Sequence, residues 1–571
     1  MLKQLVHNGV LVPKPPSPRH LVLQIRGERV ELTPKQEEMA LAWAKKHGTS
    51  YVQDPVFIQN FIQDFSEALG INPPLSLEEI DFTPAINIVL AARARKKALT
   101  KEARKALAAR RKKNREALKD QYGYAIVNGE RVEIGGYVVE PGGIFMGRGE
   151  HPLRGRWKEG ATQQDITLNL SPDAPRPEGD WKELVWQPEC MWVARWRDKL
   201  SDKLKYIWLS DTASVKQKRE AQKFDQAIKL DAMLDKVQAH IQAGLTDPNP
   251  RHKMVATACY LIDALCLRVG DEKDRDEADT VGATTLRPEH VTLHPDGEAE
   301  FEFLGKDSVL WHKKIPLPQV VYNNLAELIE NAHPSDTSSN GNAAKPQIFP
   351  LVTSRSVNRF LSDVMPGLTA KVFRTHHATA VVRQTLQDAG VEAQDPEYKK
   401  WEAATQANLE AAELCNHTKQ VPAGWSDRLE RMQEREKTLQ ERVAKREAQL
   451  QERQAQLEAL PEEAAAKIAA RKTEEQKAKT AASFEKKIAR AERRVEVAQR
   501  QLDKAQAALA KHRTKMAVNS EKRSWNLGTS LKSYIDPRVY YRWGQKVDYD
   551  VLESYYPKAL RRKFAWVRDE D

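Results

Sequence analysis

The chain has almost nothing that would staple it, anchor it or cradle a cofactor. Its 571 residues include four cysteines, Cys190, Cys259, Cys266 and Cys415, and none sits in a CxxC pair. A disulfide framework and a structural zinc cluster are excluded as organising devices, and a reducing, intracellular setting is expected. No apolar run reaches the length of a membrane span, and Met1-Leu-Lys-Gln-Leu-Val-His lacks the apolar core of a secretory signal. The stretch from Gly135 to Pro152 is rich in glycine but fits neither Walker nor Rossmann spacing, so it suggests no nucleotide site. His376-His377, and His290 with His294, have no nearby third ligand at a familiar spacing. No metal and no cofactor are expected.

Charge is abundant. Lys and Arg number 91 against 80 Asp and Glu, a net charge of +11, and charged residues make up 30% of the chain. The excess is modest and must be localised to matter. A polyanionic partner is the natural inference, with nucleic acid ahead of membrane. The length calls for several domains rather than one core.

Residues 1 to about 80 read as a small mixed module. Pro13-Lys-Pro-Pro-Ser-Pro is a stiff linker. His20 to Leu32 alternates apolar and polar residues around Gly27-Glu28, a hairpin pattern. Thr33-Pro34 then opens a helix with Met39, Leu41, Ala42 and Trp43 on its core face. From Ala91 to Tyr122 the sequence turns basic, Ala-rich and helical, including Arg93-Ala-Arg-Lys-Lys and Arg110-Arg-Lys-Lys-Asn-Arg. This is either a solvated helix face or a positive surface that attracts DNA. Residues 123 to 212 read as β-rich, and the glycine loop within them carries Arg148 and His151.

Residues 213 to 420 hold the chemistry-bearing candidates. Met254 to Arg268 is apolar nearly all round, a buried helix expected to stop at Gly270. Arg268 there is either a cation at the negative helix end or an anion ligand. Glu298 to His312 reads as a hairpin with Gly305-Lys306-Asp307 at its tip. Lys306 is then either solvated or able to enter a DNA groove. A helix opening after Pro366-Gly367 carries Lys371 and Arg374 in its early turns, where the backbone favours an anion. Asn416-His417 closes another helix, where a histidine ordinarily caps carbonyls.

Residues 424 to 512 read as a charged helical hairpin. In the second arm Phe484, Ile488, Ala491, Val495, Ala498, Leu502, Ala505 and Leu509 step by four and three. In the first, Leu429, Val443, Leu450 and Leu457 fall at multiples of seven with Glu436 interrupting, and Pro461 is placed at the reversal. This is the pattern of an antiparallel coiled coil. Beyond it, Asn526 to Arg538 sets Tyr534 in a polar turn beside Ser533, just before Asp536-Pro537. A lone tyrosine is ordinarily a packing residue. Arg268, Lys306, Arg374 and His417, however, lie in separate segments able to converge on one phosphate, and a tyrosine nucleophile among cations can cut a DNA strand without metal.

Five motifs in this order resemble the eukaryotic-type DNA topoisomerase IB family over nearly the whole chain. They are Leu267-Arg268-Val-Gly270-Asp-Glu-Lys, Phe303-Leu-Gly-Lys306-Asp307-Ser, Ala370-Lys371-Val-Phe-Arg374-Thr, Leu414-Cys-Asn416-His417, and Leu527-Gly-Thr-Ser-Leu-Lys-Ser533-Tyr534-Ile-Asp-Pro-Arg538. The resemblance implies an α+β multidomain DNA clamp. A mixed α/β cap would span 1–212, a mainly α catalytic domain of tyrosine-recombinase/topoisomerase IB type 213–420, an antiparallel coiled-coil linker 421–512, and a C-terminal domain with the nucleophile 513–571. It implies that Tyr534 attacks the scissile phosphate and is joined to the 3′ end. Arg268, Arg374 and His417 would bind the non-bridging oxygens, and Lys306 would protonate the departing 5′ oxygen. Arg148, His151, Asp307, Lys371, Asn416 and Ser533 would contact DNA. Supercoils would relax without ATP or metal, by a monomer acting on double-stranded DNA.

Some positions depart from the family pattern. Ser533 stands where many nuclear members have Asn, which bears on camptothecin-type inhibitors. Met146 replaces an Arg common before Gly147-Arg148-Gly149. The basic N-terminal extension of nuclear members is absent, which leans toward a prokaryotic or minimal enzyme. Two rivals remain: a tyrosine recombinase, which usually carries His where Lys371 stands, and a non-catalytic DNA-binding scaffold built on the coiled coil.

Overall fold

The computed structural model describes residues 1–271, 277–332 and 345–569. The chain forms two compact units, one of Met1–Val372 with Arg562–Trp566, the other of Phe373–Arg561 with the residues from Val567 on. Helices predominate and the sheets are small, an α+β architecture. Among the described residues no helix is long and apolar enough to cross a membrane.

The first unit opens with β1 (Leu5–His7), then β2 (Val22–Ile25) and β3 (Glu28–Glu31). The β2–β3 turn is Arg26-Gly27, both at positive φ (53° and 83°), the two-residue geometry that matches strand twist. The hairpin therefore turns one residue earlier than its sequence suggests. Thr33 caps α1 (Pro34–Ala44) in a reciprocal box with Gln36. Asp54 caps α2 (Pro55–Leu69), which ends on a left-handed Gly70. Phe57, Phe61 and Phe65 repeat every four residues and are fully buried, with Phe61 stacked on Trp43 at 4.7 Å. With β4 (Ile80–Asp81) paired to β2, these build the first core.

The basic tract is two helices, α3 (Thr83–Ala98) and α4 (Lys101–Tyr122), because Thr100 caps a fresh start by accepting from the Ala103 N–H. No residue of α4 is fully buried, and its half-buried residues include Ala103, Leu107, Leu118 and Tyr122. The expected β-rich region follows: β5 (Tyr124–Val127), β6 (Glu130–Glu133), the short pair β7 (Gly143–Ile144) and β8 (Trp157–Lys158), then β9 (Thr167–Asn169), β10 (Glu183–Val185), β11 (Trp192–Arg197) and β12 (Leu204–Trp208). The sheets β1-β5-β6 and β10-β9-β11-β12 share a second core of Val127, Ile134, Leu168, Val193 and Trp196.

Next come α5 (Ser214–Leu245), α6 (Pro250–Leu265), the antiparallel sheet of β13 (Val291–Leu293), β14 (Glu298–Gly305) and β15 (Val309–Pro316), α7 (Gln319–Glu330) and α8 (Ser354–Val364). The apolar α6 buries half of its 16 residues. Phe564 is fully buried in this unit, and Lys563 Nζ pairs with Glu220 at 3.1 Å.

α9 (Ala370–Asp388) carries the chain into the second unit. There follow α10 (Glu397–Leu414), α11 (Trp425–Ala469), α12 (Glu474–Glu521), α13 (Leu527–Ser533), α14 (Pro537–Lys546), α15 (Val551–Ser554) and α16 (Lys558–Lys563). α11 and α12 run antiparallel: His512 Nε2 meets the Met432 carbonyl at 2.8 Å, and Arg513 Nε meets Glu436 at 2.7 Å. Lys467 Nζ lies 5.7 Å from the Phe484 ring, and Arg471 bonds Thr480. Pro461 lies inside α11, and the reversal comes later, over residues 470–473. Glu436 is no break in the seam, because Arg513 neutralises it across the pair. The C-terminal helices are fixed to α10 by tyrosines: Tyr540 donates to the Ala404 carbonyl at 2.8 Å, and Asn408 donates to the Tyr555 hydroxyl at 3.0 Å. Burial pushes the Tyr555 phenol up to about 12 and Tyr540 well above its ordinary value, so both serve as packing and hydrogen-bonding groups.

Candidate active site

In the second unit three segments distant in sequence are locked together. α10 ends in a left-handed Asn416 (φ 52°). The Asn416 N–H reaches the Glu413 carbonyl at 3.0 Å and the His417 N–H reaches Ala412 at 2.8 Å. This is a full Schellman cap, with Asn where glycine is commoner. His417 therefore lies just beyond the helix rather than in its last turn. Its carbonyl accepts from the Asn526 N–H at 2.6 Å, and the Lys419 N–H bonds the Ser524 carbonyl at 2.8 Å. These backbone bonds deliver the chain into α13, whose end is Tyr534.

Arg374, on α9, is 4% exposed, His417 7% and Tyr534 5%. Arg374 Nη2 donates to the Cys415 carbonyl at 2.8 Å and lies 3.4 Å from His417 Nε2. The guanidinium carbon sits 5.0 Å from the centre of the Tyr534 ring, and the imidazole and phenol rings are 5.2 Å apart. His417 Nδ1 meets Ser530 Oγ at 2.8 Å. The Thr379 hydroxyl donates to the Tyr534 carbonyl at 3.3 Å and accepts from the Asp536 N–H at 3.1 Å. Asp536 caps α14 and holds Arg538 in a forked, buried ion pair at 2.8–3.0 Å. A phenol, an imidazole and a guanidinium are thus close neighbours, a set of groups able to hold an anion beside a nucleophile.

The first unit carries the other candidates. α6 stops at Leu265 with Cys266 left-handed (φ 52°), so Gly270 is not the helix stop that its sequence suggests. Its role is close approach: a Cβ on Gly270 would stand 2.8 Å from the Gly282 Cα, and one on Gly282 would stand 2.5 Å from the Gly270 Cα. The Arg268 carbonyl accepts from Ala283 at 2.8 Å, and Val281 donates to Leu304 at 2.8 Å, which ties half-buried Arg268 to the end of β14. Glu272 and Lys273, the tail of the Arg268 motif, lie outside the described residues.

Lys306 is exposed at the β14–β15 tip, followed by left-handed Asp307 (φ 66°) and Ser308 (φ 56°). Among the described residues no ion pair forms to it. Arg148 pairs with Asp307, and Ser308 Oγ donates to the Arg148 carbonyl at 3.3 Å. A Cβ on Gly149 would collide with the Ser308 side chain, so the glycine loop closes on the hairpin tip because residue 149 has none. His151 packs edge-on to Phe145 at 4.8 Å and its Nδ1 accepts from the Leu153 N–H. Met146 packs half-buried against the first core. Lys371 is exposed in the first turn of α9, and Ser533 is half-buried beside Tyr534.

Of the residues that the sequence singles out, then, Arg374, His417, Asn416, Ser533 and Tyr534 share one unit, while Arg148, His151, Arg268, Lys306, Asp307 and Lys371 share the other. Sequence reasoning missed Ser530 and Thr379. Ser530 stands one turn before Tyr534, a spacing of four that puts both on one helix face. Thr379 carries no such signal.

The histidine pairs resolve differently. Burial, then the neighbouring Arg287, lowers the His290 pKa, and its Nδ1 accepts from the Arg287 N–H. His294 gains one carboxylate partner, six positions along the chain. It meets Glu300 at 3.2 Å, and His312 reaches the same carboxylate across the strands at 2.6 Å. Ligand atoms of Glu300, Glu302 and His312 lie within 4.8 Å of one another. The two imidazoles, His312 first, lower the Glu300 pKa.

Three family models cover most of the chain: the eukaryotic DNA topoisomerase I DNA binding fragment over residues 2–209, the catalytic core over 212–450, and the C-terminal topoisomerase domain over 506–571. DNA topoisomerase 1 beta of Arabidopsis thaliana is 32% identical over 577 residues, covering 100% of this chain and 59% of that protein. The human mitochondrial DNA topoisomerase I is 31% identical, covering 99% of this chain and 89% of that protein. Human DNA topoisomerase 1 is 30% identical, with 99% and 71% covered. The chain spans just under three-fifths of the two Arabidopsis relatives it matches. Motif order, the phenol–imidazole–guanidinium cluster and these matches lead to one conclusion: the chain belongs to the eukaryotic DNA topoisomerase I family.

Proposed function

We propose that the protein is a type IB DNA topoisomerase that relaxes positive and negative supercoils of double-stranded DNA without ATP or metal. The observation that carries this reading is the packing of Arg374, His417 and Tyr534 into one buried cluster, in a chain of this family. The Tyr534 oxygen attacks the scissile phosphorus as the bond to the 5′ oxygen breaks, leaving a 3′-phosphotyrosyl bond. Arg268, Arg374 and His417 hydrogen-bond the non-bridging oxygens as charge grows on them. Removing one such donor typically costs about 10²–10³ in rate. The phenol gives up its proton to solvent, and Lys306 returns one to the 5′ oxygen, so the proton count is unchanged. Lys suits that step because Arg holds its protons too tightly. One P–O bond forms as another breaks, so religation needs no external energy. While the strand is open the free end swivels.

The proposed division follows the chain. Residues 1–212 form the cap and 213–420 the catalytic core. Residues 421–512 form a coiled-coil linker, and 513–571 bring the tyrosine. Arg148, His151, Lys371, Asn416 and Ser533 contact DNA, and Asp307 contacts it once its pairing with Arg148 opens. The enzyme acts as a monomer wherever it meets DNA inside the cell. A tyrosine recombinase is not favoured, since the family models are those of topoisomerase I and Lys371 stands where recombinases usually carry His. A non-catalytic scaffold predicts that Tyr534→Phe changes nothing.

The test is relaxation of plasmids of both handednesses in EDTA without ATP, beside a Tyr534→Phe variant. Relaxation in chelator, with a variant that binds DNA but forms no covalent adduct, is expected. A strict need for Mg²⁺ or ATP, or an adduct persisting in the variant, would overturn the reading.

A further inference from the structure

We propose that Ser530 is a positioning residue for strand cleavage, acting through His417. This rests on the reading that His417 binds the scissile phosphate. Ser530 is fully buried, and its Oγ lies 2.8 Å from His417 Nδ1. The hydroxyl both donates and accepts, so it can serve Nδ1 of the neutral ring as a donor or the N–H of the imidazolium as an acceptor. In either case Nδ1 is occupied, and Nε2 is left as the edge beside Arg374, with the Tyr534 ring 5.2 Å from the imidazole. Fixing one ring nitrogen sets what the other can do.

The same residue also controls the nucleophile's helix. The Ser530 carbonyl accepts from the Tyr534 N–H at 2.9 Å and from the Ile535 N–H at 3.1 Å. One residue therefore couples the orientation of the imidazole to that of the phenol. A helical serine commonly turns its hydroxyl back to the carbonyl four residues earlier. Here it reaches across 113 positions of sequence to the ring. Alanine at 530 keeps both backbone bonds and removes only the hydroxyl, so the two roles separate experimentally.

The experiment measures single-turnover cleavage and DNA affinity for wild type, Ser530→Ala, Ser530→Thr, His417→Ala and the double variant Ser530→Ala/His417→Ala. The expected loss in Ser530→Ala is about 10–100-fold in cleavage rate, with DNA affinity unchanged. Ser530→Thr, which keeps a hydroxyl, recovers part of the rate. In the His417→Ala background the serine change costs little further, because its effect passes through a ring no longer present. An equal loss from Ser530→Ala with and without the imidazole, or no loss at all, overturns the proposal. Failure of the underlying reading looks different: His417→Ala alone would then cleave at the wild-type rate.

Discussion

His7 shows how a single buried side chain fixes its own protonation state. Nε2 meets the Asn169 carbonyl at 3.0 Å and Nδ1 accepts from the Gly9 N–H at 3.1 Å, so the neutral ring satisfies both partners and the imidazolium cannot. Burial lowers its pKa to about 4. A base with a depressed folded pKa is neutral in the fold while the unfolded chain still binds the proton. Stability is therefore full above about pH 6.5 and is lost as the pH falls toward 4, by up to roughly 3 kcal/mol. Hydrogen exchange at β1 and β5 across that window should show the loss, and a His7→Gln variant should show a flatter profile. The glycine contact gives a second prediction at this scale. Gly282→Ala drives a Cβ into the Gly270 backbone, with an expected cost of about 1–3 kcal/mol. The same shift would displace Arg268, so on the proposed reading cleavage should slow more than DNA binding weakens. Of the five groups that the sequence names, Arg374, His417 and Tyr534 pack together in one unit, while Arg268 and Lys306 belong to the other. What was not legible was what holds them. Ser530 and Thr379 act through contacts 113 and 155 positions long, and no local period encodes those.

At the scale of elements, the paired helices α11 and α12 show why half a pattern was readable. The row Leu429, Val443, Leu450 and Leu457 is half-buried or buried, as its sevenfold spacing suggests. The second row of the same arm, Met432, Leu439, Arg446, Arg453 and Leu460, is equally sheltered, and Leu439 is 5% exposed. It escaped notice because two of its members are arginines, whose stems pack while their heads stay wet. The opposite arm is apolar throughout its stripe and was read in full. Leu502, 6% exposed, is expected to cost about 2–3 kcal/mol when changed to Ala. Hydrogen exchange over 425–469 and 474–521 should accelerate in that variant. On the proposed reading, cleavage by Tyr534 should change less than threefold, since Arg374, His417 and Tyr534 lie on other segments. Helix starts were legible wherever a cap was explicit, as at Thr33. The end of α6 was not, because a cysteine rather than a glycine takes the left-handed position.

For the molecule as a whole, the charge of +11 is concentrated where nothing else explains it. α4 holds Arg110, Arg111, Lys112 and Lys113, and none of its residues is buried. If this helix tracks phosphates, DNA affinity falls steeply with salt, and each contact removed lowers the slope of log K against log salt by about 0.9. Neutralising these four side chains with Gln should cut the slope by about 2–4 and leave thermal stability within roughly 0.5 kcal/mol. Titrations at several salt concentrations check both. An unchanged slope would remove α4 from the binding surface.

The backbone bond from Asn526 to His417 has a consequence for how such a chain is made. During translation, the guanidinium and imidazole emerge long before the phenol that they are to flank. On the proposed reading, a chain stopped anywhere between His417 and Tyr534 has nothing with which to cut a strand. The cutting group thus comes only after the groups that are to flank it, and a product truncated within α11 or α12 could bind a phosphate but not cleave beside it.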